Sequence, residues 1–303
     1  MKKAKISITT TSFGKYDDRS LAPLHAHFEI VLNPYGRKLK KEEIVQLCRG
    51  SIGIIAGTEP LSADVLEGLP GLRVISRCGT GLDNVDMLAA RRLGIEVFNT
   101  PDAPTRAVAE LTVGLILNLM RKINEMDSAI RAGRWEKLMG NLLAGKNIGI
   151  IGFGRIGRAS ASLLQSLGCV IAFTDPIVQD EPPQIRRLPL NELLGFADIV
   201  IIHVSSKDLI VGSGEIARMK KGGWLINVSR GGTVDEDALF DGLKSGHLSG
   251  AAIDVFRSEP YEGNLRELKN IILTPHVGSY AVESRVEMER LSTENLLRGL
   301  GSA

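Results

Sequence analysis

The stretch Asn147-Ile148-Gly149-Ile150-Ile151-Gly152-Phe153-Gly154-Arg155-Ile156-Gly157 joins an apolar run to a turn with spaced glycines. The apolar run is typical of a buried β-strand. The residues after the turn follow a helical pattern to about Leu167, where Gly168 is a natural C-cap. In a strand, turn and helix of this kind, Gly152 permits the tight turn and Gly157 permits close packing of the helix. The stretch therefore predicts the start of a βαβ unit.

The next strand-like run ends at an acidic residue, Asp175. Free backbone amides at the start of a helix can bind phosphate, and Gly154 lets the backbone approach a pyrophosphate. A carboxylate after the second strand can accept hydrogen bonds from both hydroxyls of an adenosine ribose, but it repels a 2′-phosphate. A glycine-rich turn without a ligand is the alternative for a bare motif, and the strand, helix and acid around this one argue against it. The predicted ligand is NAD, bound by Gly152, Gly154, Arg155, Ile156, Gly157 and Asp175.

Composition limits the remaining possibilities. The length of 303 residues fits two domains, and 44% apolar with 24% charged residues is typical of a soluble globular protein. The net charge of +2, without a basic block, argues against nucleic acid. No apolar run is long enough for a membrane span, and Met1-Lys2-Lys3 does not lead into a signal core, so we expect a cytoplasmic protein. Cys48, Cys78 and Cys169 are too widely spaced to predict a disulfide framework or a metal site.

Strand-like and helix-like runs alternate along the chain, which is the pattern of parallel sheets covered by helices on both faces. The first set of strand-like runs lies at 5–9, 28–32, 52–56, 73–76 and 95–98. The second and more apolar set lies at 147–151, 169–174, 197–202, 224–228, 250–255 and 271–273. The predicted fold class is therefore α/β, with two doubly wound parallel-sheet domains separated near Pro101.

Polar side chains with a possible chemical role follow three strands of the second set. Arg230, Glu259 and His276 lie after the runs that end near 229, 256 and 273. Because the carboxyl ends of parallel strands share the edge that faces the ligand crevice, these side chains can converge there. Taken singly, each has an ordinary structural interpretation, as an ion pair, a loop carboxylate and a hydrogen-bonded histidine.

Together, the three residues suit reversible hydride transfer between a 2-keto acid and a 2-hydroxy acid. The histidine can deliver a proton to the carbonyl oxygen and remove it in the reverse direction. A nearby carboxylate favours the imidazolium, and the forked guanidinium can hold a substrate carboxylate and polarise the carbonyl. We therefore expect Arg230, Glu259 and His276 to form a catalytic set.

The sequence around these residues closely resembles the signature segments of the D-isomer-specific 2-hydroxyacid dehydrogenases. The resemblance covers nearly the whole chain, and the segments occur in the family's order. The segments are Arg77-Cys78-Gly79-Thr80-Gly81-Leu82-Asp83-Asn84-Val85-Asp86, Asn99-Thr100-Pro101, Ala107-Val108-Ala109-Glu110-Leu111, Asn227-Val228-Ser229-Arg230-Gly231-Gly232, Asp254-Val255-Phe256-Arg257-Ser258-Glu259-Pro260 and Thr274-Pro275-His276-Val277-Gly278-Ser279. The resemblance implies the same catalytic set, with His276 as acid and base.

The resemblance also implies further binding residues. Cofactor contacts are expected at His203, Val204, Val228, Ser229, Asp254 and Gly278, with Asp254 holding the nicotinamide carboxamide. Cys78, Gly79, Thr80 and Gly81 resemble the family's carboxylate-binding loop, where successive backbone amides can form an anion nest. Arg230 and His276 complete the expected substrate contacts.

The domain organisation implied by the resemblance is discontinuous. Residues 1–101 and 279–303 would form a flavodoxin-like substrate domain, and residues 102–278 a Rossmann NAD-binding domain inserted into it. In this family, the segment around 131–145 usually contributes to a two-fold dimer, so we expect a homodimer.

The substrate is left open by the sequence. Within the family, the sequence most resembles the phosphoglycerate dehydrogenases, in a short form without a regulatory domain. This resemblance makes 3-phosphohydroxypyruvate one candidate substrate. Those enzymes often carry an arginine where Ala56-Gly57-Thr58 stands here. A formate dehydrogenase would have glutamine in place of Glu259. An NAD(H)-sensing corepressor without significant turnover is the alternative from a different class.

Overall fold

The structure, a computed structural model, describes residues 3–178 and 180–301. The chain divides into two compact units, Met1–Pro104 with Ser279–Ala303, and Thr105–Gly278. The assignment of substrate binding to the first unit and NAD binding to the second stays a prediction.

The first unit begins with five alternating strands and the helices between them. Its elements are β1 (Lys5–Ile8), α1 (Ala22–His27), β2 (Glu29–Leu32), α2 (Lys41–Cys48), β3 (Ser51–Ala56), α3 (Ala63–Glu67), β4 (Val74–Arg77), α4 (Met87–Arg92) and β5 (Glu96–Asn99). All strands are parallel, in the order β2-β1-β3-β4-β5. This is the flavodoxin-like order.

The second unit contains the longer sheet. Its elements are α5 (Thr105–Arg121), α6 (Ile123–Arg131), β6 (Asn147–Ile151), α7 (Arg155–Ser166), β7 (Val170–Thr174), β8 (Arg186–Arg187), α8 (Leu190–Phe196), β9 (Ile199–Ile202), α9 (Ser213–Arg218), β10 (Gly223–Asn227), α10 (Glu236–Lys244), β11 (Leu248–Ile253), a short 3-10 helix (Asn264–Glu267) and β12 (Ile271–Leu273). The strands are parallel in the order β12-β11-β10-β9-β6-β7-β8. This is the Rossmann order with one strand added at the β12 edge.

The chain then returns to the first unit as α11 (Val282–Leu300), which packs against β3, β4 and β5. Met288 and Leu296 of α11 lie with Ile6 and Ile8 in the core on one face of the first sheet. The other face is covered by α2, α3 and α4. Helices on both faces explain why the strands of this sheet are rich in buried apolar residues.

The second sheet is also covered on both faces. All of β9 is buried, as its unbroken apolar sequence predicts. In α7, Gly157, Ser160, Ala161 and Leu164 are buried at helical spacing, so small side chains bring this helix close to the sheet. The predicted class, two doubly wound α/β domains, is confirmed.

Several strands differ from the sequence prediction. Strand β8 was not predicted because two arginines at a sheet edge carry no apolar pattern. The strands before the candidate catalytic residues also end earlier than predicted, at Asn227 and Ile253. None of the helices in the described part of the chain has the length and apolar composition that a membrane span requires.

Candidate active site

The glycine-rich turn between β6 and α7 is shaped by close backbone contacts. Gly152 has φ 91°, and a Cβ added there would lie 2.6 Å from the backbone oxygen of His203. A Cβ added at Gly157 would lie 2.3 Å from the backbone oxygen of Gly152, whereas one at Gly154 would meet no heavy atom within 4 Å. Packing therefore requires glycine at 152 and 157, whereas there is open space beside Gly154.

Asp175 follows β7 directly and holds the same turn. Its Oδ2 accepts a hydrogen bond from the backbone N–H of Phe153 at 2.7 Å, and its Oδ1 accepts from those of Ile177 at 2.8 Å and Val178 at 2.9 Å. Burial raises the pKa of Asp175, but these amides, with the charge of Arg187, outweigh burial and hold the pKa below its usual value. The carboxylate therefore stays ionised near neutral pH.

His203 follows β9 on the opposite side of the turn. Its Nε2 lies 2.9 Å from Oγ of Ser160 in α7, and its backbone N–H donates to the oxygen of Ile151. Burial lowers the pKa of His203 to about 3, so the ring is neutral near neutral pH. Within the described ranges, its buried Nδ1 has no hydrogen-bond partner.

The donors and acceptors at this edge fit a dinucleotide. The first amides of an α-helix lack partners within the helix, so Gly154, Arg155 and Ile156 can donate to a pyrophosphate. Asp175 retains acceptor capacity for ribose hydroxyls, since a carboxylate has about four lone-pair sites. Ile177, which the sequence analysis did not single out, is 84% exposed beside Asp175 and can pack against an adenine.

The remaining predicted cofactor residues lie beside strands of the same sheet. Val204 follows β9 by two residues, and Val228 and Ser229 follow β10 and are buried. Gly278 lies in the turn after β12, and its N–H donates to Oδ2 of Asp254 at 2.9 Å. These positions are compatible with the predicted contacts, which stay predictions.

Arg230 lies on a loop organised by the buried side chain at the end of β10. Asn227 accepts hydrogen bonds from the hydroxyl of Ser229 at 2.8 Å, and it donates to the hydroxyl of Thr233 at 3.1 Å. Thr233 in turn donates to the backbone oxygen of Arg230 at 2.7 Å. Sequence reasoning missed Asn227, although its position at the end of a buried strand is a signal for such a role.

The loops of Arg230 and Glu259 are packed backbone against backbone. A Cβ added at Gly231 would lie 1.8 Å from the backbone oxygen of Phe256. Oε1 of Glu259 accepts from the backbone N–H of Phe256 at 3.1 Å, which fixes the carboxylate beside this contact. The guanidinium of Arg230 donates from Nη1 to the oxygen of Ser229 at 2.9 Å.

Glu259 and His276 are brought into direct contact. Oε2 of Glu259 lies 3.0 Å from Nδ1 of His276, and the two side chains are 39% and 48% exposed. In the described residues, Nε2 of His276 has no hydrogen-bond partner. The ring therefore presents one nitrogen to the carboxylate and leaves the other for a reacting group, as the proposed acid and base chemistry requires.

The carboxylate-binding loop predicted at 78–81 belongs to the first unit and follows β4. The N–H of Cys78 donates to the oxygen of Ala56, and the N–H of Gly79 donates to Oγ1 of Thr100 at 2.8 Å. For Thr80 and Gly81 we find no partner of the amide among the described residues. The structure therefore narrows the available anion donors to the second half of the loop.

Cys78 is buried, and burial raises the pKa of its thiol, which argues for a packing role. All three cysteines are free and buried. Among the residues that the structure describes, no cluster of histidine, cysteine and acidic side chains could hold a metal ion.

Comparison with known proteins gives consistent matches. The profile of the D-isomer specific 2-hydroxyacid dehydrogenase, NAD binding domain, matches residues 113–278. D-3-phosphoglycerate dehydrogenase of Pongo abelii is 40% identical over 261 residues, which cover 82% of this chain and 49% of that protein. Glyoxylate reductase of Thermofilum pendens is 39% identical over 273 residues, covering 85% of this chain and 80% of that protein.

A solved structure also matches over nearly the whole chain. The TT0316 protein from Thermus thermophilus superposes with a TM-score of 0.90 and 33% identity, covering 98% of this chain and 97% of that chain. The match to the phosphoglycerate dehydrogenases thus spans about half of their length, whereas the match to this structure is nearly complete. The glycine-rich turn with Asp175, the Glu259–His276 contact and these matches lead to one conclusion: the chain belongs to the D-isomer specific 2-hydroxyacid dehydrogenase family and contains its NAD-binding domain.

Proposed function

We propose that this protein is an oxidoreductase that transfers a hydride reversibly between NAD and a D-2-hydroxy acid and 2-keto acid pair. The observation that carries the proposal is the 3.0 Å contact between Glu259 Oε2 and His276 Nδ1, at the sheet edge that also bears the glycine-rich turn. Bound NADH supplies the hydride. All other groups that the reaction needs come from the chain.

In keto acid reduction, His276 donates a proton from Nε2 to the carbonyl oxygen as the carbon is reduced. Glu259 orients the ring through its contact with Nδ1, which leaves Nε2 directed to the substrate. In the reverse direction, the neutral imidazole removes the hydroxyl proton.

Arg230 is the proposed partner of the substrate carboxylate and of the reacting carbonyl. Its forked guanidinium can bind a carboxylate through two donors, and its positive charge polarises the carbonyl bond. The amides of Thr80 and Gly81 are the proposed additional donors to the carboxylate. Residues 1–101 with 279–303 would thus act as the substrate domain and residues 102–278 as the NAD domain.

We infer a preference for NAD over NADP. The ionised carboxylate of Asp175 lies where the adenosine ribose is expected, and it would repel a 2′-phosphate. Arg155 and Ile156 would donate to the pyrophosphate, and His203, Val204, Val228, Ser229, Asp254 and Gly278 would border the cofactor.

The substrate is a small 2-keto acid, with 3-phosphohydroxypyruvate, glyoxylate and hydroxypyruvate as the candidates to compare. The names of the relatives support both a phosphorylated and an unphosphorylated acid. Ala56-Gly57-Thr58 supplies no cation for a phosphate at that turn.

We further propose a cytoplasmic homodimer. Trp135, Met139 and Leu142 are 82%, 90% and 74% exposed in the segment after α6. Large apolar side chains exposed together are typical of a protein interface. Sedimentation of the purified chain should give twice the monomer mass, and sedimentation as a monomer would exclude the dimer.

The testing experiment is NADH oxidation with a panel of 2-keto acids: 3-phosphohydroxypyruvate, glyoxylate, hydroxypyruvate and pyruvate. The His276→Ala variant should lose roughly a thousand-fold in kcat while its Kd for NADH stays within about two-fold, since general acid catalysis contributes on that scale. Tight NADH binding without turnover on any acid would instead favour the NAD(H)-sensing corepressor.

A further inference from the structure

The backbone of His276 adopts an unfavourable conformation. Its φ is 55°, in the left-handed region that residues other than glycine rarely adopt. Such a residue persists only where the surrounding structure holds it in place. Because His276 belongs to the exposed turn after β12, its restraint has to come from the residues that bind this turn.

Asp254, which follows β11 and is fully buried, forms several hydrogen bonds to this turn. Its Oδ1 accepts from the hydroxyl of Thr274 at 2.6 Å and from the N–H of Val277 at 2.9 Å. Its Oδ2 accepts from the N–H of Gly278 at 2.9 Å. One carboxylate thus binds residues on both sides of His276.

The backbone of Asp254 completes the same connection. Its oxygen accepts from the N–H of His276 at 2.9 Å, and its own N–H donates to the oxygen of Asn227. Asn227 in turn organises the Arg230 loop. The side chain of Asp254 is therefore bonded to the His276 turn. Its backbone is bonded to Asn227, which organises the Arg230 loop.

We propose that Asp254 is a positioning residue, which holds the 274–278 turn so that Nδ1 of His276 meets Glu259. The inference rests on the proposed function and deepens it. It differs from the cofactor contact implied by the family resemblance, because three of about four acceptor sites of the carboxylate already serve the turn.

The test removes one of the three bonds without changing charge. Thr274→Val replaces the hydroxyl by a methyl group of similar size, and we expect kcat to fall roughly ten-fold because a small displacement of a catalytic group is costly. The Kd for NADH should stay within about two-fold, and Thr274→Ser should restore kcat to within about two-fold. Asp254→Asn, which turns a donor toward the donors of the turn, should lower kcat about a hundred-fold.

The matched control is Thr112→Val. Thr112 is also fully buried in the second unit, and its hydroxyl donates to a helix carbonyl, that of Val108, at 2.7 Å. This variant should lose some thermal stability and keep kcat. An equal loss of kcat in the two valine variants would show general loosening and overturn the proposal, as would unchanged kcat in Thr274→Val or a loss of NADH affinity parallel to kcat.

Crystal structures of the wild type and Thr274→Val separate this proposal from the proposed function. We expect the Nδ1 to Oε2 distance to lengthen beyond about 3.5 Å in the variant. An unchanged distance and an unchanged φ at His276 in the variant would refute positioning, whatever the kinetics. A wild type that reduces no 2-keto acid would refute the proposed function alone.

Discussion

The two sheets reverse their strand order at one point each, and these two points differ in chemistry. In the second unit the reversal lies between β6 and β9, where the glycine-rich turn and the start of α7 offer backbone donors. In the first unit it lies between β1 and β3, where the buried carboxylate of Glu59 accepts from the hydroxyl of Thr9 and from the N–H of Gly57 at 2.9 Å.

The difference teaches that topology creates a crevice but does not choose its occupant. Ligands of doubly wound sheets bind where the strand order reverses, and only one of the two reversal points here is suited to an anion. In the first unit a buried carboxylate, that of Glu59, already lies at this point and accepts from the hydroxyl of Thr9 and the N–H of Gly57. The amides of Thr80 and Gly81, for which the described residues supply no partner, lie after β4 instead.

The largest expected effect comes from adding a Cβ inside the glycine-rich turn of the second unit. Gly157→Ala places a Cβ 2.3 Å from the backbone oxygen of Gly152, so we expect the free energy of unfolding to fall by about 3 kcal/mol. Gly154→Ala is the matched control, since its Cβ meets no heavy atom within 4 Å. It should keep stability within about 0.5 kcal/mol and raise the Kd for NADH about ten-fold. Urea unfolding and NADH titration measure both; equal stability of the two variants would contradict the packing argument.

The next effect concerns the first unit. Glu59→Ala leaves the Gly57 amide without its acceptor and leaves the Thr9 hydroxyl only the backbone oxygen of Ile55, at 3.1 Å, which should lower the free energy of unfolding by about 2 kcal/mol. Glu59→Gln retains an acceptor oxygen and should recover most of this loss. NADH affinity should not change in either variant. A weakened NADH affinity would mean that Glu59 serves more than its own unit.

A pH titration probes His203 at the reversal point of the second unit. Because burial lowers its pKa to about 3, the unfolded chain takes up a proton below its ordinary pKa near 6.5, and the folded chain does not. This contribution to stability is complete above the unfolded value and falls as the pH drops. Between about pH 8 and about pH 5 the loss should be about 2 kcal/mol.

Urea unfolding at both pH values isolates the histidine. His203→Gln should lack this part of the pH dependence, whereas Ser160→Ala, which retains the imidazole, should keep it. If the glutamine variant follows the wild-type dependence, His203 does not titrate in the way its burial implies.

The smallest effect is a change in cofactor preference. Asp175→Ala should weaken NAD binding about ten-fold more than NADP binding, because the ribose acceptor and the repulsion of a 2′-phosphate disappear together. Asp180→Ala is a suitable control, since Asp180 forms an exposed pair with Arg158 at 2.8 Å. Isothermal titration with both cofactors gives the ratio. Equal losses for NAD and NADP in Asp175→Ala would refute the ribose assignment.

The features that sequence reasoning found have strong local signals. Unbroken apolar runs indicated the buried strands. Asp175 was found because it follows the second strand of the βαβ unit, where an acid can accept hydrogen bonds from a ribose. Arg230, Glu259 and His276 were found because each follows a strand of one parallel sheet, and the contact of two of them is present in the structure. Their catalytic roles stay predictions.

The features that sequence reasoning missed depend on contacts between distant segments. From the sequence, Glu59 would be expected as an exposed acid in a polar turn, yet it is 1% exposed, and it accepts from Thr9, just after β1, and from Gly57 of the turn. His276, which has a left-handed backbone, is bonded to Asp254, which precedes strand β12 in the chain. No local propensity reports either arrangement.

The backbone contact at Gly231 limits how this region of the chain can vary. Since a single added carbon would lie 1.8 Å from the Phe256 oxygen, the two loops on either side are able to diverge only as a pair. Evolutionary changes in reactivity should therefore spare position 231 and accumulate in segments that are free of such constraints. In a laboratory selection for new substrates, libraries that leave this glycine untouched should yield more folded variants than libraries that randomise it.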